Sequence, residues 1–525
     1  VQGDPFAPAS RLRFRAPLER LGIPAEWGNF PLKRLALADF LLRKLCAEIE
    51  ARSEEESFPV KACVPGEEIL VRNTLWVGGP SENGGSAVVE AILSVELPGE
   101  KRRIDVESAS ELLTSTIPDL LMSLYLSREA ERSEAERHIE SLEVREELLK
   151  ILTEKGWVAF VPNGSILPRE SGSSDLPKKD ALPFESPREL LQTVEVFGKK
   201  ISGMAIPRGI TVIAGGAYHG KSTLLSALEK SVVPHVAGDG REWIVADPSA
   251  VRIAAEPGRI VKGTRIEPFV RELPFGVSTK SFRTRSASGS TSEAANLVEA
   301  LEFGARTLFI DEDASAVNFL IRDSRMRKLV GEKDEPLIPL SDRASELKSL
   351  GVSMVIVVGA CGDYLHVADT VLVMKNYLPV DAAENPAQPA LENLPKFGDF
   401  KCRSLLELAG DLTPGLKPRG PMERQVKVRL RGTDLSIGFI HADLRALFPS
   451  ARTATLSGLG LFLLNLLQNA ENVPAGEAIH GLYSQIRNVG FRRLPQGFSK
   501  DSELPREAEI AMALLRFENP PKPEK

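Results

Sequence analysis

The sequence predicts an α/β architecture, and three observations carry that prediction. Residues from about 188 to 380 read as strands alternating with helices, the pattern of a mostly parallel sheet. Within them a short apolar strand feeds a glycine-rich turn closed by Lys221 and Ser222, and a helix follows. A second apolar strand, residues 307–310 (TLFI), ends in the paired acids Asp311 and Glu312.

At 525 residues the chain is long enough for about three to four domains. Its 42% hydrophobic and 26% charged residues are those of an ordinary globular protein. No run reaches the roughly 18 apolar residues that span a bilayer, and the most apolar stretch, 459–467, reads as a buried helix. The net charge of −6 gives no overall attraction to nucleic acid, so any such surface must be local. Cys46, Cys63, Cys361 and Cys402 lack metal-like spacing and read as free thiols of a reducing compartment. The chain starts at Val1 and not at Met, which reads as a truncated or processed product.

Four regions are expected. Residues 1–105 form a small α/β N-terminal domain, with strands at 11–15 and 68–72, a helical run at 32–50 and a Gly/Ser-rich loop at 78–85. Residues 106–160 are helical, and the charged stretch 127–145 reads as a solvated helix pair. Residues 161–400 form the core, entered through a Gly/Ser/Pro-rich linker at 162–187 and carrying an exposed insertion at 378–400. Residues 401–525 form a mixed α/β C-terminal domain with a disordered tail.

The turn Gly215-x-x-x-x-Gly220-Lys221-Ser222, between strand and helix, has the spacing of a phosphate-binding P-loop. Its glycines allow positive φ and close approach, so the N–H groups of Gly215, Gly216, Ala217, Tyr218, His219 and Gly220 can cradle phosphates, and Thr223 continues the contact. The helix N-terminus adds its positive dipole end. Lys221 neutralises terminal phosphate charge, and Ser222 is placed to ligate Mg²⁺. Asp311 fits the carboxylate of the Mg²⁺ shell, and Glu312 fits the base that orients an attacking water. An acidic pair alone would default to the surface; about 90 residues after a P-loop, it takes the functional role.

Ser288, Gly289 and Ser290 open the helical run 292–303 just before the acidic strand, and small hydroxyl residues at a helix start make an anion site or an ordinary cap. The order P-loop, Ser-Gly helix start, Asp-Glu strand resembles the ABC ATPases. There the signature segment contacts the γ-phosphate held by the other subunit, which implies a homodimer with two composite ATP sites. Residues 315–318 (SAVN) resemble the loop that crosses that interface. A second Ser-Gly run, 456–460 (LSGLG), has no acidic strand after it and reads as the start of the apolar helix.

Residues 1–11 (VQGDPFAPASR), 156–162 (GWVAFVP), 216–225 (GAYHGKSTLL), 238–242 (GDGRE), 247–251 (DPSAV), 287–292 (ASGSTS), 310–313 (IDED) and 362–370 (GDYLHVADT) carry a broader likeness. By them the chain resembles, over nearly its whole length and most strongly from 156 to 377, the predicted ATPases of the ABC class. The resemblance implies an ABC-type P-loop core between the two flanking domains, with ATP and Mg²⁺ as ligands. The insertion at 378–400 and the altered C-terminal third are similar to a kinetoplastid branch that associates with the mitochondrial RNA-editing machinery and binds RNA. That likeness implies RNA and editing-complex proteins as partners and the mitochondrial matrix as location, with no membrane.

Two departures from transporter-type ABC proteins predict slow turnover, or a scaffold in which ATP only stabilises the assembly. No glutamine occurs between Gln192 and Gln388, and Asp247 is the substitute offered for the metal-sensing loop. After the strand 352–359 stands Ala360-Cys361-Gly362 where a catalytic histidine is expected, and His366 comes several residues later.

Two segments line up cations on one strand face: Arg11, Arg13 and Arg15, and Lys427, Arg429 and Arg431. Period-two alternation spaces each set about 6–7 Å apart, a pitch that suits a phosphate backbone. The plainer alternative is a solvated face whose cations pair with neighbouring acids. Residues 101–103 (KRR) and 492–493 (RR) are further basic clusters.

Overall fold

The computed structural model describes all residues except 1, 3–4, 6, 56–57, 81–84, 101, 172–173, 274–275, 331–333, 382–396, 420–424, 449–451, 495, 497–500 and 520–525. Most of the expected insertion and the whole tail therefore lie outside the described residues.

In the N-terminal sheet, β1 (Ser10–Pro17), β2 (Val60–Lys61) and β3 (Leu75–Gly78) all pair antiparallel with β4 (Val88–Val95). Helix α1 (Pro31–Glu55) runs beside this sheet and buries Leu37, Leu41, Leu42 and Leu45, a three-to-four spacing that keeps them on one stripe. The charged stretch 127–145 is not a solvated pair. It is part of one helix, α2 (Glu129–Lys155), whose Ala135, Ile139, Leu142, Leu148 and Leu152 form a buried stripe beneath the charges.

The core continues through β5 (Trp157–Pro162), β6 (Leu191–Val196), β7 (Lys199–Pro207), β8 (Ile210–Ala214), α3 (Lys221–Lys230), β9 (Val245–Ala246) and β10 (Val251–Ile253). Then come α4 (Gly289–Glu302), β11 (Thr307–Asp311), β12 (Ser353–Val357), β13 (Thr370–Lys375) and β14 (Leu378–Asp381). The main sheet has the order β10-β11-β12-β8-β13-β14, parallel throughout except for the β13–β14 hairpin. Every residue of β11 and β12 is buried, as expected of parallel strands covered on both faces. A second sheet, β9-β5-β7-β6, is antiparallel, which the expectation of one parallel sheet missed. The local signal was Phe197-Gly198: both residues have positive φ, as a two-residue hairpin requires.

The C-terminal region is an antiparallel meander, β15 (Val428–Arg431), β16 (Asp434–Ile437) and β17 (Ile440–Asp443), packed on α5 (Thr453–Gln468). The Ser-Gly run 456–460 lies within α5, not at its start. A Cβ on Gly460 would stand 2.4 Å from Val428 Cγ1, so this glycine serves packing.

Residues 68–72 are not a strand of the N-terminal sheet. They make isolated bridges, Glu68 to His235 and Arg72 to Glu503, because their polar side chains turn inward. Arg72, 1% exposed, donates to Asp39 Oδ1 at 2.6 Å and to Glu503 Oε1 at 2.8 Å. Arg452 joins Glu68 (2.8 Å) and Glu503 (3.3 Å). One buried network thus ties α1, the 68–72 segment and the C-terminal region. Burial alone would push the Asp39 carboxyl up, but His138, Arg72 and Arg43 hold it far below its ordinary 3.8.

Replacing Arg72 by Met removes a buried cation shared by Asp39 and Glu503, leaving Asp39 to Arg43 and His138 and Glu503 to Arg452, and should destabilise the chain by about 3 kcal/mol, read as a lower midpoint in urea unfolding. Because the folded Asp39 is depressed, its contribution is present above its ordinary value and is lost as pH falls below it. The gap between wild type and R72M should therefore narrow on acidification from pH 6.

Candidate functional site

Strand β8 ends at Ala214, and the chain turns through the glycine-rich loop into α3. Gly215 sits at φ +142°, and a Cβ there would stand 2.6 Å from the Met374 carbonyl oxygen, so only glycine fits against the end of β13. Gly220, at φ +91°, caps α3. Gly216, Ala217 and Tyr218 are exposed at the crest, and Tyr218 also has positive φ. His219 Nδ1 accepts the Asn376 N–H at 2.9 Å. Lys221 Nζ donates to the carbonyls of Gly215 (2.8 Å) and Gly216 (2.9 Å), folding back over the loop. Ser222 is exposed and Thr223 half-buried in the first turn of α3.

Two strands away, β11 delivers Asp311 to the same end of the sheet. Asp311 is 8% exposed and caps the turn that begins at Glu312, accepting the Asp313 N–H at 3.2 Å. Glu312 Oε2 accepts three successive backbone N–H groups, those of Gly359 (2.6 Å), Ala360 (3.1 Å) and Cys361 (3.3 Å). These follow β12, where the sequence lacks the expected histidine. Burial raises the Glu312 carboxyl, but these N–H groups outweigh it and hold it below its ordinary 4.5. His366 lies further on, in the turn Gly362–His366, half-buried and engaged in contacts of its own.

Helix α4 ends just before β11, so it runs antiparallel to that strand and starts at the carboxyl end of the sheet. Ser288 caps it, accepting the Thr291 N–H at 3.3 Å. Ser288 is exposed and Gly289 half-buried, whereas Ser290 is buried and donates its hydroxyl to Asn318 Oδ1 at 2.6 Å. Only Ser288 and Gly289 of the three thus face outward. Glu293 Oε2 accepts the Ala316 N–H at 2.7 Å, which fixes the 315–318 loop against α4. With about 4.8 Å per strand, β11 and β8 are roughly 10 Å apart, and α4 packs toward β10 on the far side of β11. The Ser-Gly segment therefore flanks its own P-loop and does not face it.

Asp247 does not replace the missing glutamine. It accepts the Thr307 hydroxyl at 2.7 Å and the Ser249 N–H at 2.9 Å, at the start of β11 and so roughly 13 Å along the strand from Asp311. The segment that leaves β10 beside Asp311 carries Glu256, which the sequence did not single out. Arg516, from the C-terminal region, holds Glu256 through Nε at 2.9 Å and also donates to Asn296 of α4 at 3.0 Å.

The cation ladders lie on separate sheets, β1 and β15. Arg11 pairs with Asp501 at 2.8 Å and Arg13 pairs with Glu90, while Arg15, Lys427 and Arg431 are exposed and Arg429 is half-buried. Lys101 and the Arg493 side chain lie outside the described residues. Among the described residues, one acid–histidine cluster, Glu67, His235 and Asp239, is compact enough to hold a metal. Arg169 meets both acids (2.9 and 2.7 Å) and Lys230 meets Glu67, so the cluster is already neutralised. All four cysteines are free thiols, and among the described residues no helix is long and apolar enough to cross a membrane.

A family model of the P-loop domain of ABC ATPases matches residues 131–397, and one described as the N-terminal part of ATPases of the ABC class matches residues 1–127. An uncharacterized protein of Methanocaldococcus jannaschii is 33% identical over 226 residues, 41% of this chain and 49% of that protein. The chain thus spans about half the length of the curated relative it matches. Among solved structures, the ADP conformation of an ABC-transporter ATP-binding cassette shares 14% identity over 36% of this chain and 86% of its own, with a TM-score of 0.24. The cbiO1 protein of Clostridium perfringens, part of the ABC transporter complex cbiONQ, shares 14% over 43% and 87%, with a TM-score of 0.26. At such values these likenesses carry no argument, and the assignment rests on the two family models. They span the N-terminal domain and the core, and by them the chain belongs to the ATPases of the ABC class.

Proposed function

We propose that the chain binds ATP with Mg²⁺ and hydrolyses it slowly, as a homodimer in which each site is completed by the other copy. The observation that carries this is the convergence of the P-loop, Asp311 and Glu312 at the carboxyl ends of β8 and β11. The loop N–H groups and Lys221 would hold the phosphates. The exposed Ser222 hydroxyl and the Asp311 carboxylate fit a divalent cation, which would draw charge off the phosphate oxygens. Glu312 is the group to orient the attacking water. The outward-facing Ser288 and Gly289 have no phosphate-bearing partner in their own copy, which supports the dimer.

Two groups are satisfied internally, and this sets the pace. Lys221 must leave two loop carbonyls to meet phosphate. Glu312 must leave three N–H groups to take up a water, and its depressed carboxyl makes it a weak base. The same contacts favour the second reading, an ATP-dependent scaffold with little turnover. Replacing Glu312 by Gln separates the two. An enzyme should lose turnover by at least about a hundredfold and accumulate as an ATP-bound dimer in sedimentation velocity, whereas a scaffold should be indifferent to the change.

Coupling to RNA, membership of an editing complex and a mitochondrial matrix location rest on the kinetoplastid resemblance. For RNA, the exposed Lys427 and Arg431 add support, while the acids on Arg11 and Arg13 argue for structural roles there. If backbone phosphates are the ligand, filter binding of single-stranded RNA should weaken steeply between about 50 and 200 mM salt. Gln at Lys427 and Arg431 should weaken it further, and salt-insensitive binding would contradict this part.

Glu293, fully buried with Oε1 unpaired, couples α4 to the 315–318 loop. Burial pushes its carboxyl from 4.5 to about 7, partly offset by the Ala316 N–H and the Ser315 hydroxyl. A raised folded value means that its stabilising contribution is complete below pH 4.5 and is lost as pH rises through about 7. E293Q, neutral at every pH, should match wild type at pH 4.5 and exceed it above pH 7 by on the order of 2 kcal/mol in chemical unfolding. A constant difference across that range would contradict the assignment.

A further inference from the structure

Beyond the end of α4 that lies away from Ser288, the chain forms a cavity of about 460 Å³, within the range that holds a drug-sized ligand. Helices α1 and α2 supply Leu32 and Leu149 to its wall, and the core supplies Val233 after α3 and Phe303 after α4. The C-terminal region supplies Tyr483 of α6 (Ala475–Val489) and Met512 of α7 (Glu507–Leu514). All of these but Met512 are only half-buried, so the cavity leaves apolar side chains uncovered on one side. The 14 residues of α4 put it about 20 Å from the Ser288–Gly289 segment.

Arg145 of α2 stands in this apolar wall and is 2% exposed. Its guanidinium donates to the Ser231 carbonyl at 3.0 Å and to Glu146 Oε1 at 3.3 Å, and its Nε is buried without a partner. Burial lowers the group from 12.5 to about 10, Glu146 opposes that shift, and Arg487 of α6 adds to it. It is therefore a buried cation at neutral pH, with one acid partner that is partly open to water. Arg487, also on the cavity wall, is exposed and among the described residues enters no ion pair. Of the other charges there, Arg506 pairs with Glu509 at 3.2 Å and Glu507 with His480 at 3.1 Å. Three arginines against Glu146 and Glu507 leave the lining with one positive charge in excess.

Water alone suits such a cavity poorly: it satisfies Arg145 Nε but wets the leucine, valine and phenylalanine walls. A ligand with an anionic head and an apolar body satisfies both. One excess charge matches a carboxylate, whereas a doubly charged phosphate would stand against Glu146.

We propose that this cavity is a binding site for a monoanionic amphiphile, a carboxylic acid with an apolar body. Its carboxylate meets Arg145, drawn in by Arg487, and its body packs on Leu149, Val233 and Phe303. The site lies away from the P-loop and does not depend on the nucleotide reading.

Calorimetric titration of the full chain tests it with four probes: decanoate, decanol (no charge), acetate (no body) and decyl phosphate (a doubly charged head). Decanoate should bind at least about tenfold more tightly than each of the others. Because its site joins three regions, decanoate should also raise the melting temperature. R487Q changes an exposed side chain and so spares the fold; it should weaken decanoate by about threefold and leave decanol unchanged. R145Q should weaken decanoate more than R487Q does, and L149W, which fills the cavity, should block decanoate and decanol alike. Equal affinity for decanoate and decanol would make the cavity a neutral apolar pocket, and tighter binding of decyl phosphate would give the head to phosphate. Decanoate bound equally by wild type, R487Q and L149W would sit elsewhere on the surface. Each of these results overturns the inference, as does a wild type that binds none of the probes.

Discussion

Because β8 runs parallel to β12 on one side and to β13 on the other, the segments that leave all three strands emerge together at one end of the sheet. Strands β8, β11 and β12 are apolar and buried along nearly their whole length, so polar chemistry there is confined to those exits. The exit of β8 is the phosphate loop and that of β12 is the 359–361 segment. The exit of β13 is the 376–377 turn, and β11, paired to β12, adds Asp311 and Glu312. Strand order alone therefore decides which residues can act on one ligand. The Met374 carbonyl, pressed against Gly215, shows how little room that order leaves.

Within this frame the cationic and anionic groups are held apart, each on backbone partners. Lys221 sits on carbonyls and Glu312 on N–H groups, so neither is left as an uncompensated charge. A ligand that carries both phosphate and a cation offers each of them a better partner. At Glu312 the 359–361 backbone supplies the contacts, and the segment after β10 carries the Glu256–Arg516 pair. That pair makes the C-terminal region a neighbour of α4, since Arg516 also donates to Asn296.

What could be read from the sequence was whatever lies within one turn or one strand. The P-loop, the Asp311–Glu312 pair and the Ser288 cap are local patterns whose residue types carry their own geometry. What could not be read depends on which strands become neighbours. Asp247 looked like a substitute ligand because its distance from Asp311 along the sheet is invisible until β11 is placed. Residues 68–72 alternated like a surface strand because Arg72 and Glu68 find their acids and bases some 400 residues away, at Glu503 and Arg452. Glu256 went unnoticed for the same reason.

Central to the proposed function is one site built from two copies, with Lys221 from one and the Ser288–Gly289 segment from the other. Mixing two inactive variants, K221A and G289E, measures this most directly, because a symmetric pair of unlike subunits would contain one undamaged composite site. The account predicts that each variant alone is inert and that the mixture regains ATP turnover in proportion to the mixed dimer formed. A mixture no more active than either variant, with mixed dimers present, would contradict it.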